Sequence, residues 1–131
     1  MIFQYKKYGP YARPVIPVTL LHGGQIVWYE VLVDSGADGC VFDAEIGALL
    51  GIDVMRGRPT EMSGIAGQTV IAYQHRVDLE VGGVRRTVDA SFLPRVEEGF
   101  QYGVVGQRGF FDLFIVTFDL LAEQVILQER L

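Results

Sequence analysis

Two strand–glycine–glycine–strand segments constrain the fold of this chain more than any other feature of the sequence. Consecutive glycines between strand-like segments are typical of tight β-hairpins, because both central residues of such turns take positive φ. The glycine pairs are Gly23-Gly24 and Gly82-Gly83, and the flanking strands are expected at residues 15–21, 26–33, 76–81 and 84–93. The repetition indicates a weak internal duplication, and with so few helical segments it predicts a mostly β fold of many short strands.

One short helix is expected between the two hairpins. Residues 44–50 are preceded by Asp43, a good N-cap residue, and followed by Gly51, which is typical of a helix end. The apolar residues expected to pack this helix on the sheet are Ile46, Leu49 and Leu50. Two more strands are expected at residues 115–118 and 124–127, so the sequence predicts a β domain with one or two short helices.

Only the first hairpin ends in an acid. Residues 26–33 are rich in Val, Ile, Leu and aromatic residues, which predicts a strand buried on both faces, and the run breaks at Asp34-Ser35-Gly36. A carboxylate at the end of a buried strand costs desolvation free energy, so it needs partners or a chemical role. The alternative is an ordinary turn in which Asp34 binds its own backbone amides. From these residues alone both interpretations stay open.

Composition and charge exclude several classes of function. The chain has 131 residues, which fits one domain over residues 1–131, and its formal net charge is -5. No run of Lys or Arg reaches four residues, so nucleic acid is not an expected partner. No apolar run approaches the ~20 residues needed to cross a bilayer, and no signal-peptide core follows the N-terminus. The single cysteine, Cys40, suits a reducing compartment, so we expect a cytoplasmic protein without membrane partners.

Other catalytic chemistries have little support in the sequence. His22 and His75 are isolated and there is no cysteine pair, so neither a metal nor any other cofactor is expected. Ser35 lies in no Gly-x-Ser-x-Gly turn, and Cys40 is expected to be a buried structural thiol. Carboxylate chemistry remains. Two aspartates about 3 Å apart share one proton, and a two-fold homodimer could supply the second copy of a single aspartate.

Residues 32–38, Leu-Val-Asp-Ser-Gly-Ala-Asp, resemble the active-site signature of the retroviral-type aspartic proteases, the retropepsins. Four further features occur in that family's order and together span about residues 14–118. They are the Gly-Gly hairpin before the acid, a flap-like turn at residues 62–68, the hairpin at residues 77–93 and the apolar-apolar-glycine run Val104-Val105-Gly106. The ordered set is more specific than the Asp-Ser-Gly-Ala motif by itself.

The resemblance implies a closed-barrel β fold that works as a homodimeric aspartic endopeptidase on peptide or protein substrates. It implies that Asp34 is the catalytic carboxylate, paired with Asp34 of the second chain, and that Ser35 joins the two loops across the dimer axis. It further implies that Gly36, Ala37 and Asp38 hold an extended peptide. The residues that it places in the flap over this peptide are Ser63, Gly64, Ile65 and Ala66, and those that it places behind the loop are Val104, Val105 and Gly106, with a short helix after them.

The chain departs from the retropepsin pattern in two places. Retropepsins usually have an arginine directly after the glycine of the late run, where it pairs with the acid at the Asp38 position. Here Gln107 takes that place and the arginine is Arg108, so the pairing is in doubt. Residues 110–131 extend past the usual end and are candidate dimer-interface strands, while residues 1–13 are expected to form an N-terminal arm. Such extensions suit a cellular or bacterial relative, and the departures keep open a non-catalytic dimer that binds peptides or acts as a scaffold.

Overall fold

The computed structural model describes residues 1–63, 67–94 and 102–131 of the chain. Its strands, in chain order, are β1 (Ile2–Gln4), β2 (Lys6–Tyr8), β3 (Tyr11–Arg13), β4 (Val15–His22), β5 (Gln25–Val33), β6 (Cys40–Asp43), β7 (Arg58–Ser63), β8 (Thr69–Val81), β9 (Val84–Leu93), β10 (Gly103–Val105), β11 (Phe114–Asp119) and β12 (Gln124–Glu129). The helical pieces are α1 (Ala44–Leu49), a 3-10 turn (Val54–Arg56) and an irregular turn (Gln107–Phe111). The predicted mostly β fold with short helices is confirmed.

Both glycine pairs close antiparallel hairpins, as predicted. Gly23 and Gly24 have φ of 53° and 84°, and Gly82 and Gly83 have φ of 55° and 83°, so the two turns share one backbone geometry. β4 pairs with β5 and β8 pairs with β9 across these turns. β8 is longer than the sequence indicated. It begins at Thr69 instead of residue 76, because residues 69–74 pair with β7 and the strand pairs with β9 from Tyr73 onward.

The two hairpins are joined into a closed barrel. Within the described residues the pairing runs β4-β5-β10-β6-β9-β8, and β8 returns to β4 through Leu20 opposite Leu79. β6, which follows the first hairpin, runs parallel to β9 of the second. β10, which follows the second hairpin, runs parallel to β5 of the first. The strand after each hairpin therefore pairs with the other hairpin, so the two halves have the same arrangement of strands.

Helix α1 closes one end of the barrel. The Asp43 carboxylate accepts a hydrogen bond from the Glu45 amide at 2.9 Å, and Gly51 follows with φ of 78°, so both predicted end signals are used. Leu50 is buried, but Leu49 is 63% exposed, so the expectation that Leu49 packs on the sheet was wrong. The helix approaches its neighbours through Gly47, where a Cβ would lie 2.6 Å from the Val54 side chain. Because the helix packs through the face that carries Gly47, Leu49 points toward solvent.

The prediction that residues 26–33 are buried on both faces was wrong for the first half of the strand. Val31 and Val33 are 0% and 3% exposed, whereas Ile26 and Trp28 are 61% and 85% exposed. Alternate residues of a strand point to opposite faces, and Ile26 and Trp28 share the face that points away from the barrel core. Within the described residues Trp28 lies open on that face, and composition alone could not reveal this.

The first and last strands pair in the same small sheet. β1 pairs with β12, and β12 pairs with β11, giving a three-stranded sheet in which Ile2 lies opposite Ile126. β2 and β3 form a separate small hairpin, anchored by an ion pair between Lys6 and Glu30. The predicted N-terminal arm is thus made of three short strands. Among the helices of the described residues, none combines the length and the apolar character that crossing a bilayer requires.

Candidate active site

Asp34 lies directly after the last residue of β5, at the edge of the barrel. Its backbone N–H donates to the Val105 carbonyl at 3.0 Å, so the residue is held by the neighbouring strand β10. Its Oδ1 accepts a hydrogen bond from the Gly36 N–H at 2.9 Å, and its carbonyl accepts one from the Ala37 N–H at 3.2 Å. The backbone therefore turns sharply at Asp34 and presents a half-buried carboxylate in a defined direction.

The loop of residues 34–39 rests on Gly106. A Cβ added at Gly106 would lie 2.4 Å from the Ala37 carbonyl oxygen and 2.5 Å from the Gly39 carbonyl oxygen. Beyond Gly106, the Gln107 N–H donates to the Ala37 carbonyl at 2.9 Å and the Arg108 N–H donates to the Asp38 carbonyl at 3.0 Å. Only a residue without a side chain allows the backbones to approach this closely.

A side chain also reaches the loop. The Gln107 amide nitrogen donates to the Ser35 carbonyl at 2.9 Å. Among the ion pairs formed by described residues, none joins Asp38 to Arg108, so the doubt about that pairing was justified. Sequence reasoning identified Gln107 only as a departure from the family pattern and did not predict its contact with Ser35. The position of Gln107 directly after the supporting glycine could have indicated that its side chain lies near the loop.

The turn after Gly106 differs from the short helix that the resemblance implied. The Phe111 N–H donates to the Gly106 carbonyl at 3.2 Å and the Asp112 N–H donates to the Gln107 carbonyl at 3.0 Å. Both bonds join residues five positions apart, whereas the bonds of an α-helix join residues four positions apart. Gly109 interrupts the turn with φ of 98°. Arg108 is the second residue of this turn, so its N–H has no acceptor within the turn and donates to the Asp38 carbonyl of the loop.

Cys40 lies buried beneath the loop, as expected of a structural thiol. Its Sγ is 3.6 Å from the Arg108 carbonyl oxygen, and burial raises the pKa of the thiol to about 11. A thiol with so high a pKa is protonated at neutral pH and is a poor nucleophile. In residues 1–63, 67–94 and 102–131 no three His, Cys, Asp or Glu side chains gather as metal ligands would.

The predicted flap residues are only partly described. Ser63 is the exposed last residue of β7 and lies opposite Thr69 of β8, whereas Gly64, Ile65 and Ala66 lie outside the described residues. Within the described parts, no hydrogen bond links Ser63 to the Asp34 loop. The structure therefore brings residues 34–38 together with residues 104–107, and the roles assigned to all of these residues stay predictions.

A closed β-barrel that holds a strand-end aspartate against an apolar-apolar-glycine run defines a retropepsin-like fold. Residues 16–108 match the family model described as aspartyl protease, which is most of the chain. The chain belongs to the aspartyl protease family. No curated protein sequence matches it at a significant level.

Solved structures agree with this assignment of the fold. A retropepsin-like aspartic protease from Rickettsia conorii superposes with a TM-score of 0.67 over 95% of each chain, at 14% sequence identity. The EIAV protease complexed with the inhibitor HBY-793 superposes with a TM-score of 0.50, covering 78% of this chain and 88% of that chain at 21% identity. The predicted retropepsin-like closed barrel is confirmed.

Proposed function

We propose that this chain is an aspartic endopeptidase of the retropepsin type that works as a homodimer. Two Asp34 carboxylates, one from each chain, lie about 3 Å apart and share one proton, because like charges at that separation cannot both ionise. The ionised carboxylate takes a proton from a water molecule, and the resulting hydroxide attacks the peptide carbonyl carbon. The protonated carboxyl donates to the carbonyl oxygen, and the proton taken from water goes to the leaving amine.

The observation that carries this proposal is how the chain holds Asp34. The Gly36 N–H fixes Oδ1 at 2.9 Å, and β10 fixes the backbone amide at 3.0 Å. A turn-forming aspartate needs only the first of these contacts. The second contact and the close fit of Gly106 give the loop a fixed place on the barrel, as a catalytic group requires.

The neighbouring residues have matching roles in this proposal. Ser35 is exposed and joins the loops of the two chains across the dimer axis. The backbones of Gly36 and Ala37 and the exposed Asp38 carboxylate bind an extended peptide substrate. The flap of residues 63–66 closes over the peptide by strand-like hydrogen bonds. Residues 1–131 act as one domain, and the buried free thiol of Cys40 supports a cytoplasmic location.

Residues 110–131 supply the dimer interface in this proposal. Within the described part of the chain β11 pairs with β12 on one side only, so it presents an unpaired edge. It also carries exposed apolar side chains, with Ile115 at 44% and Phe118 at 40% exposure. These features support a contact with a second copy, which would bring the two Asp34 loops toward a common axis.

Asp34→Asn tests the enzymatic proposal. The amide oxygen keeps the hydrogen bond from Gly36 but can neither take nor give the catalytic proton, so we expect cleavage of a peptide library at mildly acidic pH to be lost while the dimer persists in sedimentation. Asp89→Asn is a matched control, because Asp89 is an exposed aspartate on β9, outside both the Asp34 loop and residues 110–131. Undiminished cleavage by Asp34→Asn, or a wild-type protein that stays monomeric at every concentration, would exclude the mechanism.

One observation favours a second candidate, a retropepsin-like dimer that binds peptides without cutting them or scaffolds an assembly. Gln107 replaces the arginine usual in retropepsins, and among the described ion pairs Asp38 takes part in none. The binding module predicts peptide binding by wild type and Asp34→Asn alike, with no cleavage at any pH. A specific cut that Asp34→Asn prevents would exclude it.

A further inference from the structure

The peptide group between Ser35 and Gly36 is held at both ends. Its carbonyl oxygen accepts a hydrogen bond from the Gln107 amide at 2.9 Å. Its N–H, which belongs to Gly36, donates to Oδ1 of Asp34 at 2.9 Å. A backbone carbonyl can only accept, so the NH₂ end of the Gln107 amide must face it. Two hydrogen bonds thus connect the Gln107 side chain, through one peptide group, to the Asp34 carboxylate.

We propose that Gln107 is a positioning residue for Asp34 and acts through this peptide group. The expected effect on catalysis rests on the proposed function. The expected effect on the orientation of the Asp34 loop rests on the hydrogen-bond geometry alone. The peptide group is planar, so its C=O and N–H directions cannot turn independently. Fixing the carbonyl oxygen therefore fixes the direction from which the Gly36 N–H approaches Asp34. Donation to the carbonyl also polarises the peptide group and strengthens its N–H as a donor.

Gln107 is well placed for this task because its own backbone is fixed against the same loop. Its N–H donates to the Ala37 carbonyl at 2.9 Å, and its carbonyl accepts from the Asp112 N–H at 3.0 Å. The side chain therefore starts from an anchored backbone, although it is itself exposed. Gly36 has no Cβ to restrain the peptide group, and a glycine is the most mobile residue of any loop. An external restraint on this peptide group is needed most at such a position.

The choice of glutamine has a charge consequence as well. A neutral amide orients the peptide group without placing a positive charge beside Asp34. The arginine usual here in retropepsins pairs with the acid at the Asp38 position, whereas the Gln107 amide donates to the Ser35 carbonyl.

Two substitutions of Gln107 test the inference in the full-length chain. Gln107→Leu removes the donor at similar volume. We expect kcat for a peptide that wild type cuts to fall by roughly three- to tenfold, the loss that corresponds to one exposed hydrogen bond. KM should stay within about twofold, since Gln107 does not touch the substrate in this proposal. Gln25→Leu is the matched control, because Gln25 is an exposed glutamine at the start of β5, at the opposite end of that strand from Asp34 and outside residues 110–131.

Gln107→Glu gives a readout that a merely structural role would not produce. The introduced carboxyl cannot donate when ionised, but its protonated form can donate to the Ser35 carbonyl. Cleavage should therefore be impaired near neutral pH and recover as pH falls through about 4, the usual range of a glutamic acid. The ionisable side chains on the loop and the following turn, Asp34, Asp38, Arg108 and Asp112, are common to both variants. The difference between the two pH profiles therefore isolates the introduced carboxyl.

An NMR measurement tests the positioning inference whether or not the proposed enzymatic function is correct. The Gly36 N–H resonance in a nitrogen-15 correlation spectrum reports its bond to Asp34 whether or not the protein cleaves peptides. If wild type is inactive but the resonance shifts in Gln107→Leu and not in Gln25→Leu, the positioning inference holds and the endopeptidase fails. If wild type is active and Gln107→Leu leaves both kcat and the resonance unchanged, the inference is overturned. A loss in Gln107→Glu that is equal at every pH also overturns it.

Discussion

Gly106→Ala should be among the most damaging single-methyl additions in this protein. The added Cβ would lie 2.4 Å from the Ala37 carbonyl oxygen and 2.5 Å from that of Gly39, and both are backbone atoms that cannot rotate away. Gly106 has φ of -124° and ψ of -157°, which alanine adopts freely, so contact and not backbone strain sets the cost. Overpacking of this kind costs about 1–3 kcal/mol.

Relief of the clash requires the loop and residue 106 to separate, which threatens two more interactions. The hydrogen bonds from the Gln107 and Arg108 amides to the loop, at 2.9 and 3.0 Å, would lengthen. Each contributes about 0.5–1.5 kcal/mol. Alanine recovers about 0.4–1 kcal/mol by restricting the unfolded chain. The net loss in the free energy of unfolding is therefore about 2–4 kcal/mol, a large part of the ~5–15 kcal/mol typical of a domain.

Urea unfolding followed by circular dichroism measures this loss, and peptide cleavage measures the displacement of Asp34. A shift of the carboxylate by ~1 Å should lower kcat by about 100-fold. Gly39→Ala is the matched control in the same loop, because a Cβ there meets its nearest heavy atom, the Arg108 carbonyl oxygen, at an ordinary 3.8 Å. An unfolding free energy of Gly106→Ala within about 1 kcal/mol of wild type would refute the reasoning, since the loop would then tolerate a side chain between the two backbones.

Two further predictions concern the barrel core. Gly47→Ala should lower the free energy of unfolding, measured by urea titration, by about 1–3 kcal/mol, because the new Cβ would lie 2.6 Å from Val54 and 2.9 Å from Phe92. This overpacking should outweigh the better helix propensity of alanine. A stabilised variant would contradict the prediction. Burial raises the pKa of the folded Cys40 thiol from 9.0 to about 11, so the thiol of the unfolded state loses its proton at lower pH. The stability of the wild type should therefore fall, by at most about 3 kcal/mol, as pH rises from about 9 to 11. Cys40→Ala should lack this part of the decline in pH-dependent unfolding, and parallel curves for the two proteins would refute the assignment.

The features that the sequence predicted correctly have local causes. The hairpin turns follow from glycine pairs that alone tolerate two consecutive positive φ values, and the start of α1 follows from the Asp43 side chain. These signals act within four residues and do not depend on the rest of the fold. The position of Asp34 after an apolar strand was also visible in the sequence, whereas its catalytic role stays a prediction.

The features that the sequence missed depend on tertiary neighbours. Trp28 is apolar and strand-forming whether or not another element covers it, so its 85% exposure could not be foreseen. The early part of β8 lacks a clear alternation and becomes a strand by pairing with β7 and β9. Leu49 has correct helix spacing, but the contact through Gly47 rotates it outward. The contact between Gln107 and Ser35 joins residues 72 positions apart, and no local pattern encodes it.

The duplicated topology gives a physical reason why one chain presents one carboxylate of this kind. The first hairpin leads into Asp34, and β10, the strand that follows the second hairpin, is followed directly by Gly106, which lies beneath the loop that Asp34 begins. The second hairpin is followed by Pro94-Arg95-Val96, which has no acid at the corresponding place. The first half thus supplies the acid, and the second half supplies the support beneath its loop. A shared-proton mechanism then requires Asp34 of another chain, and the proposed activity must fall with dilution at the concentration where the dimer dissociates.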